Sequence, residues 1–384
     1  MNDVDVILTV NAGSSSLRLH LVRADDTDQV VAEHVLERLP GRSEAIKALT
    51  TLVRCSGIVT VKAVGHRLVH GGPWLRRATI VDHHALTAAH AAASLAPIHV
   101  PPALHLIDAA QELLPYVPQV LCPDTAFHAG LPEVAYTYAL PLTWRVNYGV
   151  RRYGFHGLSY AWATRRAAAL LDRPVERLHL LLAHLGGGCS VCAVRGGRSV
   201  DTSMGFTPLE GVVMTKRSGS IDPGMLMWLL ERSELNVADV REALYHRSGL
   251  LALSAGRSSD TRELVRAARE GDSAASLALA VFARSVRGAL ASAATSLDRV
   301  DALVFTGEIG WDQPEVREDV CAGLGVLGIR GGLRGNRSDD GPVSPPGVPI
   351  PVLVVRSREE LQIAHDTWSA LRSEAENSMA GRPL

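Results

Sequence analysis

At 384 residues, with 39 basic against 40 acidic side chains and a formal net charge of −1, the chain carries no global field that would draw it to nucleic acid or to an anionic membrane surface. A hydrophobic content of 47% against 21% charged residues is that of an α/β protein with ample core, and the length suggests two or three domains. Five scattered cysteines, an odd number, argue against a disulfide framework and for a reducing cytoplasm.

Residues 1–5 are acidic and lack a charged-then-apolar leader, so no signal peptide is expected. Apolar runs such as 178–185 are too short to span a bilayer. Residues 4–10 are apolar and β-branched, 11–16 are turn-rich, and 17–22 resume alternation, which predicts a β-hairpin with a polar connection. A third strand is expected over 30–36 and a helix over 43–54, with Ser43 as its cap. A strand over 59–65 gives way to a loop over 66–72, a helix follows over 103–114, and a short buried strand over 118–122 leads to Asp124.

The opening pattern then returns. A strongly apolar strand over 178–183 meets a glycine turn at 186–188, a strand over 190–194 and a second turn at 196–197. Two similar α/β halves are the expectation. Residues 201–223 (DTSMGFTPLEGVVMTKRSGSIDP) have neither helical nor strand period, and loops of that composition suit ligand contact. They supply Arg217, whose planar fork matches a carboxylate or phosphate. Helices are expected over 223–230, 237–246, 260–269 and 273–297, then a strand over 300–305 ending in a Gly-containing turn. A Gly/Ser/Pro-rich surface loop over 331–349, a strand over 351–355 and a helix over 358–371 complete the chain.

Two further patterns carry less. Cys189 and Cys192 form C-x-x-C in an apolar strand; buried thiols are the main reading, metal or redox chemistry the alternative. Residues 323–328 fit G-x-G-x-x-G but follow a helix-like segment, the wrong context for dinucleotide binding.

Ten strings, in order along nearly the whole chain, resemble motifs of the acetate kinase family, the carboxylate kinases that make acyl phosphates. They are NAGSSSLR (11–18), GHRLVHGG (65–72), APIH (96–99), DTAFH (124–128), GVRRYGFHGLS (149–159), HLGGGCS (184–190), the 201–223 loop, SSDTR (258–262), FTGEIGWD (305–312) and REELQIA (358–364). The resemblance implies a duplicated ribonuclease H-like fold of the actin-like ATPase kind, with two α/β domains built on mixed five-stranded sheets around a cleft. The expected domains are 1–147, with 358–384 packing back on it, and a nucleotide-binding domain over 148–357.

The resemblance also implies roles. Arg67 and Arg217 hold the carboxylate and the moving phosphoryl group, His156 donates to that group, and Asp124 is the catalytic aspartate. Val69, Ile98, Phe155 and Pro208 form a small acyl cup. Asn11, Ser14, Ser16, Arg18, His99, His184, Gly186, Gly187 and Gly188 face phosphates, where small residues let main-chain N–H groups approach. Asp260, Thr261, Arg262, Gly307, Glu308 and Gly310 lie beside the nucleotide. Asn11 and Glu359 serve the metal, Mg²⁺ or Mn²⁺. A plain hairpin turn at 11–16, and a helix-capping carboxylate at Glu359, are the alternatives for those residues taken alone.

The implied reaction is reversible phosphoryl transfer from ATP to acetate or propionate in a cytoplasmic homodimer. A carboxylate is already ionised at neutral pH, so no strong base is needed; cations must offset its repulsion from polyphosphate. The chain departs from the family pattern at Arg18 (usually Lys), at Val100 and Pro101 (usually Asn-Pro), at Gly187 (usually Asn), at Glu308 (usually Gly), and at Trp311 and Asp312 (usually Glu-Asn). The departures on the donor side motivate two alternatives: a same-fold kinase using pyrophosphate or another nucleotide, or a catalytically impaired acyl-phosphate or nucleotide sensor. A sugar or glycerol kinase would need a base to activate a hydroxyl, which two acceptor-site arginines do not supply.

Overall fold

The computed structural model describes residues 4–380 apart from Ser14, Ser15, Asp26, Ser56, Ile58, Ile98, Asn336 and Arg337. The chain divides into two compact units: one runs to Ala129 and resumes at Arg358, the other is Gly130–Ser357.

The first unit opens on strands β1 (Val4–Ala12), β2 (Leu17–Arg23) and β3 (Val30–Leu36), an antiparallel meander. Helix α1 (Arg42–Cys55) returns the chain to β4 (Val59–Leu68), parallel to β1. Then come β5 (Thr79–Ile80), α2 (His83–Ala92), α3 (Val100–Leu113) and β6 (Gln119–Pro123), giving sheet order β3-β2-β1-β4-β6-β5. Val64 joins Leu49 of α1 and Leu106 and Ala109 of α3 in one core. Gly65 points to the other face, where a Cβ would lie 2.2 Å from Thr367 Oγ1 and 2.7 Å from Ile363 Cγ2 of the C-terminal helix. Only glycine lets that helix (Glu359–Ala380) lie down on β4.

The second unit repeats the plan. Short helices α4 (Glu133–Tyr136) and α5 (Leu142–Asn147) precede α6 (Gly157–Leu171). Strands β7 (His179–Leu185), β8 (Cys189–Arg195) and β9 (Arg198–Thr202) form the antiparallel meander. Helices α7 (Pro223–Arg232), α8 (Val237–His246), α9 (Gly249–Leu253), α10 (Thr261–Arg269) and α11 (Ser273–Ala294) follow. Next are β10 (Ala302–Thr306), α12 (Gly307–Asp312), α13 (Pro314–Ala322), β11 (Gly341–Pro342) and β12 (Val352–Val354). Read from the meander edge, the sheet order is β9-β8-β7-β10-β12-β11, strand for strand the order of the first unit. The duplication expected from the recurring hairpin is therefore present. Each sheet has six strands rather than five, because a two-residue antiparallel strand (β5 or β11) finishes one edge.

Helix α11 is long and apolar enough by composition to cross a membrane. Here Ala278, Phe282, Val286 and Leu290 are buried, and the helix packs on β7, β8, α10 and α13 as a core element. Cys189 and Cys192 are buried at positions of opposite parity on β8, so their side chains leave the sheet on opposite faces and cannot share one ligand.

Candidate active site

In the first unit, β1, β4, the short 3-10 helix directly after β6 (Asp124–His128) and the C-terminal helix each deliver one polar group to one cluster. Arg67 stands on β4, which continues through Leu68 rather than ending at 65, because main-chain pairing with β6 carries it on (Arg67 opposite Cys122). Arg67 donates from Nη2 to Asp124 Oδ2 at 2.7 Å, from Nε to the same oxygen at 3.2 Å, and from Nη1 to Asn11 Oδ1 at 3.2 Å. Asn11 Nδ2 donates to Glu359 Oε2 at 2.8 Å, and that carboxylate lies 3.6 Å from Arg67 Nη1. Asp124 is 1% exposed and Arg67 13%. Burial pulls the Arg67 pKa down, but Asp124 and Glu359 outweigh it and the guanidinium is held charged beyond its ordinary range. Two carboxylates thus surround one guanidinium.

Around this cluster, Arg18 stands opposite Asn11 in the β1–β2 register, and Gly13 N–H donates to Ser16 O to close the hairpin. Val69 is buried just past β4, and His99 is the N-cap residue of α3. Ser14 and Ile98 lie outside the described residues.

The second unit builds its site on the β7–β8 hairpin. His184 sits near the end of β7, Gly186–Gly188 make the turn, and Ser190 pairs with His184 across it. His156, in the left-handed conformation (φ 58°), caps α6 and turns its ring onto His184, with centroids 4.1 Å apart and 21° between planes. A Cβ on Gly188 would stand 3.1 Å from His156 Nε2 and 3.7 Å from Arg217 Nη1, so this one glycine is where imidazole and guanidinium meet. The 201–223 segment starts on β9 and is otherwise irregular. Main-chain bonds from Ser248, Leu250 and Leu251 to Lys216, Met214 and Thr215, with Thr215 Oγ1 donating to Gly187 O at 2.9 Å, hold it beside the hairpin.

Arg217 is partly buried. Its Nη1 donates to Pro208 O at 3.3 Å and its guanidinium lies over Tyr245 at 5.8 Å. No carboxylate among the described residues pairs with it. Burial pushes its pKa below the usual guanidinium value, against Tyr245 and Cys189, which raise it. Phe155 and Pro208 are buried.

The expected nucleotide-side residues also gather in this unit. Asp260 caps α10 by accepting from Arg262 N–H at 2.7 Å, Thr261 opens that helix, and Arg262 Nε reaches Asp312 Oδ2 at 3.6 Å at the end of α12. The turn expected at 307–312 is a helix. Arg317, fully buried, donates to the carbonyls of Gly310 and Trp311 at 2.9 and 2.6 Å and so caps its end. Glu308 is exposed on α12, and its main-chain N lies 3.6 Å from where a Cβ on Gly186 would stand.

Sequence reading missed Ser159, Tyr160, Ser190 and Ser357. Ser190 Oγ lies 2.8 Å from His156 Nδ1 and 2.5 Å from the Tyr160 phenol. Ser159 Oγ lies 2.8 Å from His184 Nδ1, and Ser357 donates to it at 3.2 Å. Ser159 and Ser190 close the GVRRYGFHGLS and HLGGGCS strings, a position that could have flagged them.

The acetokinase family matches residues 39–365. A curated acetate kinase of Deinococcus radiodurans is 43% identical, over 94% of this chain and 96% of its own length. The crystal structure of Porphyromonas gingivalis acetate kinase superposes with a TM-score of 0.86 at 32% identity, covering 96% of this chain and 100% of that one. A propionate kinase structure from Francisella tularensis also gives 0.86 at 32% identity, covering 95% and 99%.

Proposed function

The chain belongs to the acetokinase family, and from that premise we infer that it moves a phosphoryl group reversibly between a nucleotide and a short-chain carboxylate. We assign ATP as the donor and acetate or propionate as the acceptor. The observation that carries the reading is Arg217: a partly buried guanidinium, without a described carboxylate partner, meeting His156 Nε2 at Gly188. A bare cation beside an imidazole N–H is a receptor for an anion whose charge spreads over several oxygens.

In this reading Arg217 neutralises the acceptor carboxylate and the phosphoryl group as they approach, and His156 donates to an equatorial oxygen as charge moves outward. The main-chain N–H groups of Gly187 and Gly188 bind the phosphates, that of Gly186 being taken by Gly188 O within the turn, and Asp260, Arg262 and α12 border the base. We assign Arg67 and Val69 of the first unit, and Phe155 and Pro208 of the second, to acceptor recognition, each on its own unit; Ile98, assigned the same role by the sequence, lies outside the described residues. No proton needs to leave the acceptor, so positioning and charge neutralisation supply the rate.

The first-unit cluster suits a hard divalent cation. Its donors are all oxygen: Asp124, Glu359 and the Asn11 amide. Two carboxylates match an ion held mostly through water and phosphate. Asn11, Asp124 and Glu359 would hold Mg²⁺, which when bound neutralises phosphate charge.

The proposal extends to a homodimer through the second unit, supported by Trp144, Val146, Tyr148, Met227 and Trp228, all more than half exposed. It extends to a cytoplasmic location, supported by buried thiols at Cys189, Cys192 and Cys321, each pushed up to about 12 by burial.

The test is acyl hydroxamate formation from acetate, ATP, Mg²⁺ and hydroxylamine, with propionate, butyrate, pyrophosphate and other nucleotides substituted in turn. Turnover with ATP and the two short acids is the expected result. A preference for butyrate, or for a donor other than ATP, overturns the assignment.

A further inference from the structure

His156 and His184 stack, and each places Nδ1 on a serine hydroxyl: Ser190 Oγ for His156 and Ser159 Oγ for His184, both at 2.8 Å. Neither serine is the end of its chain. Ser357 Oγ donates to Ser159 Oγ at 3.2 Å, and the Tyr160 phenol lies 2.5 Å from Ser190 Oγ. Ser159, Ser190 and Tyr160 are 0% exposed, so bulk water does not scramble these bonds.

A hydroxyl has one hydrogen to give. Ser159 accepts from Ser357 and has its own hydrogen to give toward His184 Nδ1. The Tyr160 oxygen takes a hydrogen bond from the main chain of His184 and has its phenolic hydrogen to give to Ser190, whose own hydrogen can then go to His156 Nδ1. With the hydroxyls oriented this way each Nδ1 accepts and keeps its lone pair, and the proton of each neutral ring sits on Nε2. Both Nε2 atoms flank the glycine turn. A Cβ on Gly188 would lie 3.1 Å from that of His156, and one on Gly186 3.7 Å from that of His184.

We propose that the hydroxyl chains Tyr160–Ser190 and Ser357–Ser159 set the tautomers of His156 and His184, so that a stacked pair of neutral imidazoles presents two Nε2–H donors along Gly186–Gly188 to phosphoryl oxygens. Ser159, Tyr160, Ser190 and Ser357 are positioning residues. Two stacked imidazolium rings beside Arg217 would repel one another at short range, which disfavours the doubly charged pair. The inference rests on the proposed phosphoryl-binding role of His156, and its test separates the two.

The experiment is long-range ¹H–¹⁵N correlation on the full chain labelled at histidine, with the two rings assigned from His156→Asn and His184→Asn spectra. Both rings show Nε2–H in the wild type. Ser190→Ala shifts His156 toward a tautomer mixture and lowers kcat by on the order of 10²-fold while both KM values hold within about twofold. Tyr160→Phe loses about tenfold, and the double variant loses no more than Ser190→Ala alone, since the groups act in series. Ser190→Thr, which keeps the hydroxyl, recovers most of kcat. An Nδ1–H tautomer on either wild-type ring overturns the inference, needs no variant to fold, and leaves the kinase reading standing. Nε2–H rings with kcat indifferent to both Ser190→Ala and His156→Asn overturn the phosphoryl-binding role itself.

Discussion

Arg67 and Arg217 were indistinguishable as letters, yet their surroundings are opposite. Arg67 is paired inside its own unit: Asp124 and Asn11 accept from it and Glu359 lies 3.6 Å away. Arg217 has a carbonyl, an aromatic ring and the open side of a glycine turn. The first is a strut of a preformed ionic cluster as well as a candidate ligand group. The second is left uncompensated, which a fold tolerates where a ligand will supply the anion.

The largest expected effect comes from removing the uncompensated cation. Arg217→Met lowers kcat/KM for the carboxylate by on the order of 10³-fold, the scale of losing a charged transition-state donor. The urea midpoint stays put or rises, because a partly desolvated charge has gone and no carboxylate is orphaned. A marked fall in stability would mean that Arg217 is as structural as Arg67.

Arg67→Met inverts the pattern. Asp124, 1% exposed, loses its partner, and leaving one charge of a buried pair costs about 3–5 kcal/mol. Restoring neutrality with Asp124→Asn in the same chain recovers part of that stability without activity. If Arg67→Met unfolds at the wild-type midpoint, the strut reading fails.

The first unit also holds two histidines whose titration is tied to folding. His66, one residue before Arg67 and 1% exposed, has its pKa lowered from 6.5 to about 4 by burial, partly offset by its bond to Gln119. His20, also on the first sheet, is lowered to about 4, chiefly by burial. Between 6.5 and 4 the unfolded chain binds protons that the folded one refuses. Their stabilising contribution is therefore complete above pH 6.5 and is lost as pH falls toward 4. His66 alone accounts for about 3 kcal/mol over that window. Urea titrations at pH 7 and pH 4.5 should show the first unit weakening more steeply, and His66→Gln should flatten the slope. Parallel weakening of both units would contradict this.

Much of this contrast was legible in the sequence, and the illegible part has physical causes. The hairpins at β1–β2 and β7–β8 follow from alternation broken by small residues, and their recurrence announced the duplication. His156, Arg217 and the 186–188 turn were named through the resemblance of their strings to acetate kinase family motifs. Alternation could not show that β4 runs on to Leu68, since that is decided by pairing with β6, more than fifty residues away. Nor could it show that 307–312 closes into a helix, which depends on Arg317 reaching back to cap it. Spacing carries no charge balance either, so the resemblance gave Asp124 as the catalytic aspartate without showing that it pairs with Arg67. Serine hydroxyls have no periodicity, and Ser159 and Ser190 acquire meaning only where two turns meet.

The smallest and sharpest expected effect lies at the glycine turn. Gly188 has no left-handed backbone requirement, so Gly188→Ala is a purely steric probe. Its methyl carbon would stand 3.1 Å from His156 Nε2, 3.3 Å from Cε1 and 3.7 Å from Arg217 Nη1. Those contacts are tight enough to push the imidazole by a few tenths of an ångström, but they touch no core packing. A displaced donor in a positioned site should cost about tenfold in kcat while stability changes by under about 0.5 kcal/mol. Gly187→Ala, one residue away, meets nothing within 4 Å and should leave kcat within about twofold. If both substitutions behave alike, the turn acts only through its main chain. If Gly188→Ala alone is slow, the meeting of His156 and Arg217 at that atom is what the chemistry requires, and the uncompensated cation of the second unit, rather than the paired one of the first, sets the rate.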